Sequence, residues 1–66
     1  MMIFVNGAAT EVTATTLCAL LSELGLAEAG PVATALNETF VPAPAREGTA
    51  LNPGDRVEVL SPRQGG

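Results

Sequence analysis

The residues of this chain best able to do chemistry are its last ones. It closes on LSPRQGG, Leu60 to Gly66, and the final two residues are glycines. Glycine packs nothing and loses the most backbone entropy on ordering, so a folded unit has little structural use for a terminal pair of them. What the pair offers is thinness. With no Cβ at Gly65 or Gly66, the chain end can pass through a narrow channel and present its α-carboxylate to an active site in another protein. That carboxylate is ionised at neutral pH, its ordinary pKa being about 3.5. It is a poor electrophile, because attack would have to expel oxide. Adenylation by ATP supplies AMP as the leaving group, and a persulfide or thiol can then displace it. With a sulfur donor the product is a C-terminal thiocarboxylate, which carries nucleophilic sulfur without releasing sulfide.

The rest of the composition assigns the catalytic work to partners. Sixty-six residues, 47% of them apolar, make one small domain with a single core; a chain of this size buries only about 60% of its unfolded surface. There is no histidine, no lysine and a single cysteine, Cys18. Such a chain has almost no means of building a nucleophile–base pair or a transition-metal site. It is therefore expected not to be an enzyme and to bind no metal or cofactor; ATP and magnesium would be used by the activating partner. The net charge is −4, and Arg46, Arg56 and Arg63 are too few to displace counterions from nucleic acid. MMIFVNGAATE has no basic n-region, and no stretch approaches the roughly 18 apolar residues of a membrane span. No membrane is expected, and the cytoplasm is the expected compartment.

These end residues need a base to leave from, and the patterning supplies one. MMIFV followed by Asn6-Gly7 predicts a hairpin whose returning strand is ATEVTA, with Val12 inward. Ile3 and Val5 share one face of the first strand, Met2 and Phe4 the other. In TTLCALLSELG the period changes: Leu17, Leu20, Leu21 and Leu24 make one stripe of an amphipathic helix of about ten residues. Thr15 or Thr16 caps its start and Gly25 its end. VATALN is a third strand, taken to place its larger residues Val32, Thr34 and Leu36 on the core. Asn37-Glu38 is a turn, and TFV a short strand that Pro42 ends or confines to an edge. APAREGTALN reads as irregular. After a turn at Pro53-Gly54-Asp55, RVEVL alternates with Val57 and Val59 inward and Arg56, Glu58 and Leu60 outward. The order predicts an α+β domain of β-grasp type over residues 1–60, a mixed sheet of four to five strands with one main helix on one face. The last strand then lies beside the first, in the centre of the sheet. Pro62 lacks an N–H and cannot continue the ladder, so residues 61–66 are expected to project as a flexible tail reaching at most ~20 Å.

VATALNETFVPA, NPGDRVEVLSP and the closing QGG resemble the ThiS family, the ubiquitin-like sulfur carriers of thiamine biosynthesis, and the likeness covers essentially the whole chain. It implies that Gly66 is adenylated by a ThiF-like adenylyltransferase and takes sulfur from a cysteine desulfurase or a rhodanese-like protein. The thiocarboxylate would then donate its sulfur to thiazole formation at the thiazole synthase, ThiG. Gly65 and Gln64 carry over as residues that thread into partner active sites. Two other readings stand beside it. The small subunit of molybdopterin synthase shares the fold, the Gly-Gly end and the thiocarboxylate chemistry, but its tail places two prolines and a small residue where this chain has Ser61-Pro62-Arg63-Gln64. A ubiquitin-like interaction module would bind by its sheet face and use no terminal chemistry.

Two further residues belong to the expected site. Phe4 and Leu60 face outward on neighbouring central strands and together form part of a docking patch for the activating enzyme. Cys18, one position after Leu17, is expected to be a small, partly buried helical residue, since reactive cysteines need a nearby cation and none is close in sequence. Glu38, Glu47 and Glu58 are expected to be a solvated surface rather than a recognition code, although acidic charge could steer the chain to basic partners.

Overall fold

Two tight turns organise the sheet. Asn6 and Gly7 take positive φ angles of 50° and 84°, and Asn37 and Glu38 take 50° and 73°. Paired left-handed residues define the two-residue turns whose twist matches that of flanking antiparallel strands. The computed structural model describes residues 1–27 and 30–61. In it the first turn joins β1 (Met2–Val5) to β2 (Ala8–Glu11), and the second joins β3 (Ala33–Leu36) to β4 (Thr39–Val41). With β5 (Arg56–Leu60) they form a five-stranded sheet in the order β2-β1-β5-β3-β4. The last strand sits in the centre, parallel to β1 and antiparallel to β3, as the element order predicts. β4 is an edge strand, and Pro42 follows directly after it.

Alternation sorts the side chains between the two faces. Ile3, Val57 and Val59 turn inward and are buried, while Arg56, Glu58 and Leu60 point out. On β3 the larger residues are inward, with Thr34 only 2% exposed and Leu36 packed against the core. The helix α1 (Leu17–Glu23) lies on this inner face and buries Leu17, Leu20 and Leu21. The Thr16 hydroxyl accepts from the Ala19 amide at 3.1 Å, which satisfies one of the orphan donors of the first turn. At the other end Gly25, at φ +74°, donates to the Ser22 carbonyl, and Leu26 donates to that of Leu21. This is a Schellman stop, in which the residue after the left-handed glycine folds back onto the helix.

Three expectations need correction. The helix has seven residues, not about ten, because the chain before it is occupied by extended pairing. Leu51 donates to the Thr15 carbonyl and Leu17 to that of Thr49, each at 2.9 Å, which holds Thr16 opposite Ala50. The segment read as irregular contains a 3-10 helix, Ala43–Gly48, capped by Pro42. Its anchor is Arg46, whose Nε donates to the Thr34 hydroxyl at 3.0 Å and whose terminal nitrogen donates to the Val32 carbonyl at 2.7 Å. The Thr34 hydroxyl donates in turn to the Val41 carbonyl, so this buried polar group is fully used. Just beyond, Leu51 enters the core. Cys18 is exposed rather than partly buried, because it lies off the stripe that the core claims.

Two side chains tie the loops to these elements. The Asn37 carboxamide accepts from the Arg56 amide at 2.9 Å and donates to Asp55 at 3.1 Å, so the turn after β3 holds the start of β5. Glu23, at the end of α1, accepts from the Thr13 amide and hydroxyl and from the Ala14 amide, all at 2.9–3.2 Å. The Thr13 amide, then its hydroxyl, hold the Glu23 carboxyl below its ordinary value. A lowered carboxylate contributes stability above its unfolded pKa, about 4.3 for glutamate, and loses it as pH falls through the folded value. Thermal unfolding followed from pH 7 to pH 3 should therefore show a shallower acid decline for Glu23→Gln than for the unsubstituted chain. Identical declines would mean that these bonds contribute nothing in that window.

Candidate functional site

β5 carries the site, since the chain passes from Leu60 through Ser61 into the Gly-Gly end. Gln64, Gly65 and Gly66, with Pro62 and Arg63, lie outside the described residues. What the structure does define is the base from which they continue. β5 is bonded on both sides, to β1 through Phe4↔Arg56 and Val5↔Val57 and to β3 from Leu36↔Val57 to Ala33↔Leu60. Where β1 turns away, the Asn6 side chain takes over. Its Oδ1 accepts from the Val59 amide at 2.9 Å and its Nδ2 donates to the Val59 carbonyl at 3.2 Å. Sequence reasoning saw Asn6 only as a turn residue; its second role depends on the register of strands 53 residues apart.

Helix and core occupy the inner face of the sheet, leaving the outer face uncovered among the described residues. Four large apolar side chains stand exposed there: Met2 and Phe4 on β1, Phe40 on β4 and Leu60 on β5. Phe4 (40% exposed) and Leu60 (69%) both point outward on adjacent central strands, as the alternation requires. The register does not bring them together, however. Phe4 stands opposite Arg56, four residues before Leu60, or ~13 Å of strand at about 3.3 Å per residue. The cross-strand neighbour of Leu60 on β3 is Ala33, and Phe40 faces Ala35, which in turn faces Glu58. The larger outward residues thus surround a shallow floor of alanines. Phe40, 66% exposed, is the residue the sequence reading passed over. Its signal was the parity of TFV, because Val41 inward forces Phe40 outward.

Phe4 also lines a groove of about 360 Å³ with Gly7, Glu38, Arg56, Val57 and Glu58. The charged walls are mostly acidic, with Arg56 the exception, which suits a partner carrying basic groups around an apolar centre. The arrangement presents two carboxylates and one guanidinium around an apolar centre. It can hold a strand end and offer a face.

The ThiS family profile matches residues 3–66. A crystal structure of a thiamine biosynthesis protein (ThiS) from Geobacter metallireducens is 33% identical, with a TM-score of 0.81 over 91% of each chain. A solution structure of a thiamine biosynthesis protein from the same organism is also 33% identical, with a TM-score of 0.74 over 91% of this chain and 81% of the other. No curated protein matches the sequence. A profile that runs to the last glycine, joined to two structures of the same topology at that identity, settles the lineage: the chain belongs to the ThiS family.

Proposed function

We propose that this chain is a sulfur carrier of thiamine biosynthesis, acted on by partner enzymes, whose Gly66 carboxylate is the cargo site. The observation that carries the reading is the family match through Gly66, on a fold that places the tail directly after a central strand. In the first step a carboxylate oxygen of Gly66 attacks the α-phosphorus of ATP on a ThiF-like adenylyltransferase, releasing pyrophosphate and leaving an acyl-adenylate. A persulfide sulfur from a cysteine desulfurase or a rhodanese-like protein then attacks the carbonyl and expels AMP. A second thiol cleaves the resulting acyl disulfide, giving the thiocarboxylate and a disulfide. That sulfur goes on to thiazole formation at ThiG. ATP and magnesium belong to the activating partner, Gly65 and Gln64 to the segment that threads into its active site, and the cytoplasm to the whole sequence of steps. The test is the intact mass of the chain after incubation with ATP, the adenylyltransferase and a sulfur donor. One sulfur-for-oxygen exchange at the C-terminus is expected; an unchanged mass, where a control carrier is converted, would sink the reading.

Docking is assigned to the outer face, with Leu60 and Phe4 as contacts and Phe40 beside them. Apolar residues at the centre of an interface carry most of its energy when water is excluded from them. Leu60→Asp should therefore raise the KM of the carrier for its adenylyltransferase about tenfold, the effect of losing one well-buried contact. Because Leu60 is exposed, the unfolding free energy should stay within about 0.5 kcal/mol of the unsubstituted value. An unchanged KM would remove Leu60 from the interface.

A further inference from the structure

The parallel ladder between β1 and β5 runs out before β5 does. The Phe4 amide donates to the Asp55 carbonyl and the Asn6 amide to the Val57 carbonyl, at 2.9 and 2.8 Å. The next rung would serve Val59, but Asn6 and Gly7 have already turned the main chain away, with φ angles of 50° and 84°. The Asn6 carboxamide fills that rung, accepting from the Val59 amide and donating to the Val59 carbonyl. A side chain here stands in for a peptide group, donor and acceptor both. Few residue types could do this. The left-handed turn favours Gly, Asn and Asp; glycine has no side chain, and an ionised aspartate has no donor. Asparagine alone meets both demands.

Val59 is two residues before Ser61, and on its other side it pairs with Thr34 of β3. The Asn6 rung therefore closes the open side of β5 at its C-terminal end. We infer that Asn6 is a positioning residue for activation of the carrier: its carboxamide fixes where the strand ends and so sets the length of chain over which Gly66 is presented. Without that rung Val59 and Leu60 are held on the β3 side alone, so the end of β5 opens more readily into the residues that follow it. A longer link lowers the effective concentration of the carboxylate at the partner's active site. Docking through the outer face would be unaltered, so the loss falls on turnover and not on affinity. This inference rests on the carrier reading proposed above.

The experiment compares Asn6→Gly with Asn37→Gly. Both keep a residue that tolerates positive φ, and each removes one side-chain clamp on β5, at opposite ends of the strand. Amide exchange at Val59 is expected to quicken about tenfold in Asn6→Gly, the size of losing roughly one net hydrogen bond, and to stay unchanged in Asn37→Gly. Steady-state adenylation should show kcat reduced about 1.5-fold at unchanged KM in Asn6→Gly alone, the −3/2-power fall for a link lengthened from six residues to about eight. Asn6→Asp, which retains the backbone preference but lacks the donor, should fall between the two. Equal losses in Asn6→Gly and Asn37→Gly, following stability, would overturn the inference while leaving the carrier reading intact. Unchanged exchange at Val59 would do the same. Failure of the unsubstituted chain to be adenylated would overturn the carrier reading, and this inference with it.

Discussion

Removal of Gly66 should abolish the proposed conversion of the chain to a thiocarboxylate and leave its thermal unfolding unchanged. Truncation still provides a terminal carboxylate, now on Gly65, but one residue short, and a residue spans about 3.3–3.6 Å. Misplacement of a reacting group by ~1 Å already costs on the order of 10²-fold, so a whole residue should put conversion below detection. No effect on the fold is expected, because among the described residues the buried apolar ones all lie at or before Val59. Intact mass and calorimetry on the full and truncated chains check the two halves separately. Retained conversion would remove Gly66 from its role, whereas a lowered unfolding temperature would make the terminal residue structural.

The second large effect is expected in the core. Leu20 is fully buried at the centre of α1, and Leu20→Ala should cost about 2–5 kcal/mol through lost transfer energy and the cavity left behind. A domain of 66 residues has about 3–10 kcal/mol in total, at roughly 0.05–0.15 kcal/mol per residue. The substitution therefore consumes much of what holds the fold, and seven helical residues cannot persist without their packing. Denaturant titration followed by circular dichroism measures the loss. A change below about 1 kcal/mol would mean the leucine stripe is not the main contact with the sheet. The same variant, with residues 61–66 untouched, should also be activated poorly, because the proposed docking face exists only when the sheet is formed.

Most of the scaffold was legible because its patterns are local. The Leu17, Leu20, Leu21 stripe marks a helix by period alone, and RVEVL marks a strand with Val57 and Val59 inward. Asn6-Gly7 and Pro53-Gly54 mark turns by their φ requirements. What escaped depends on residues far apart in sequence. The 3-10 helix has no period of its own; it is fixed by Arg46 reaching Thr34 and Val32. The Asn6 and Asn37 clamps need the register of β5, which turn chemistry does not supply. Phe4 and Leu60 were assigned to the correct face, yet their separation follows only from the pairing of Phe4 with Arg56. The proposed site rests on the Gly-Gly end, which lies outside the described residues, and the proposed docking face took shape only once the strands were ordered.

The central position of β5 has a mechanical consequence. A partner that draws on Gly66 while gripping the rest of the molecule pulls along the axis of a strand flanked on both sides, by β1 and by β3. Force applied that way loads the two ladders in shear, so many rungs resist at once. Had the same five residues lain at an edge and been pulled sideways, the rungs would have parted one at a time, like a zip. In the proposed carrier role, a chain end inserted into one enzyme, withdrawn and inserted into the next would be fastened where the fold best withstands tension.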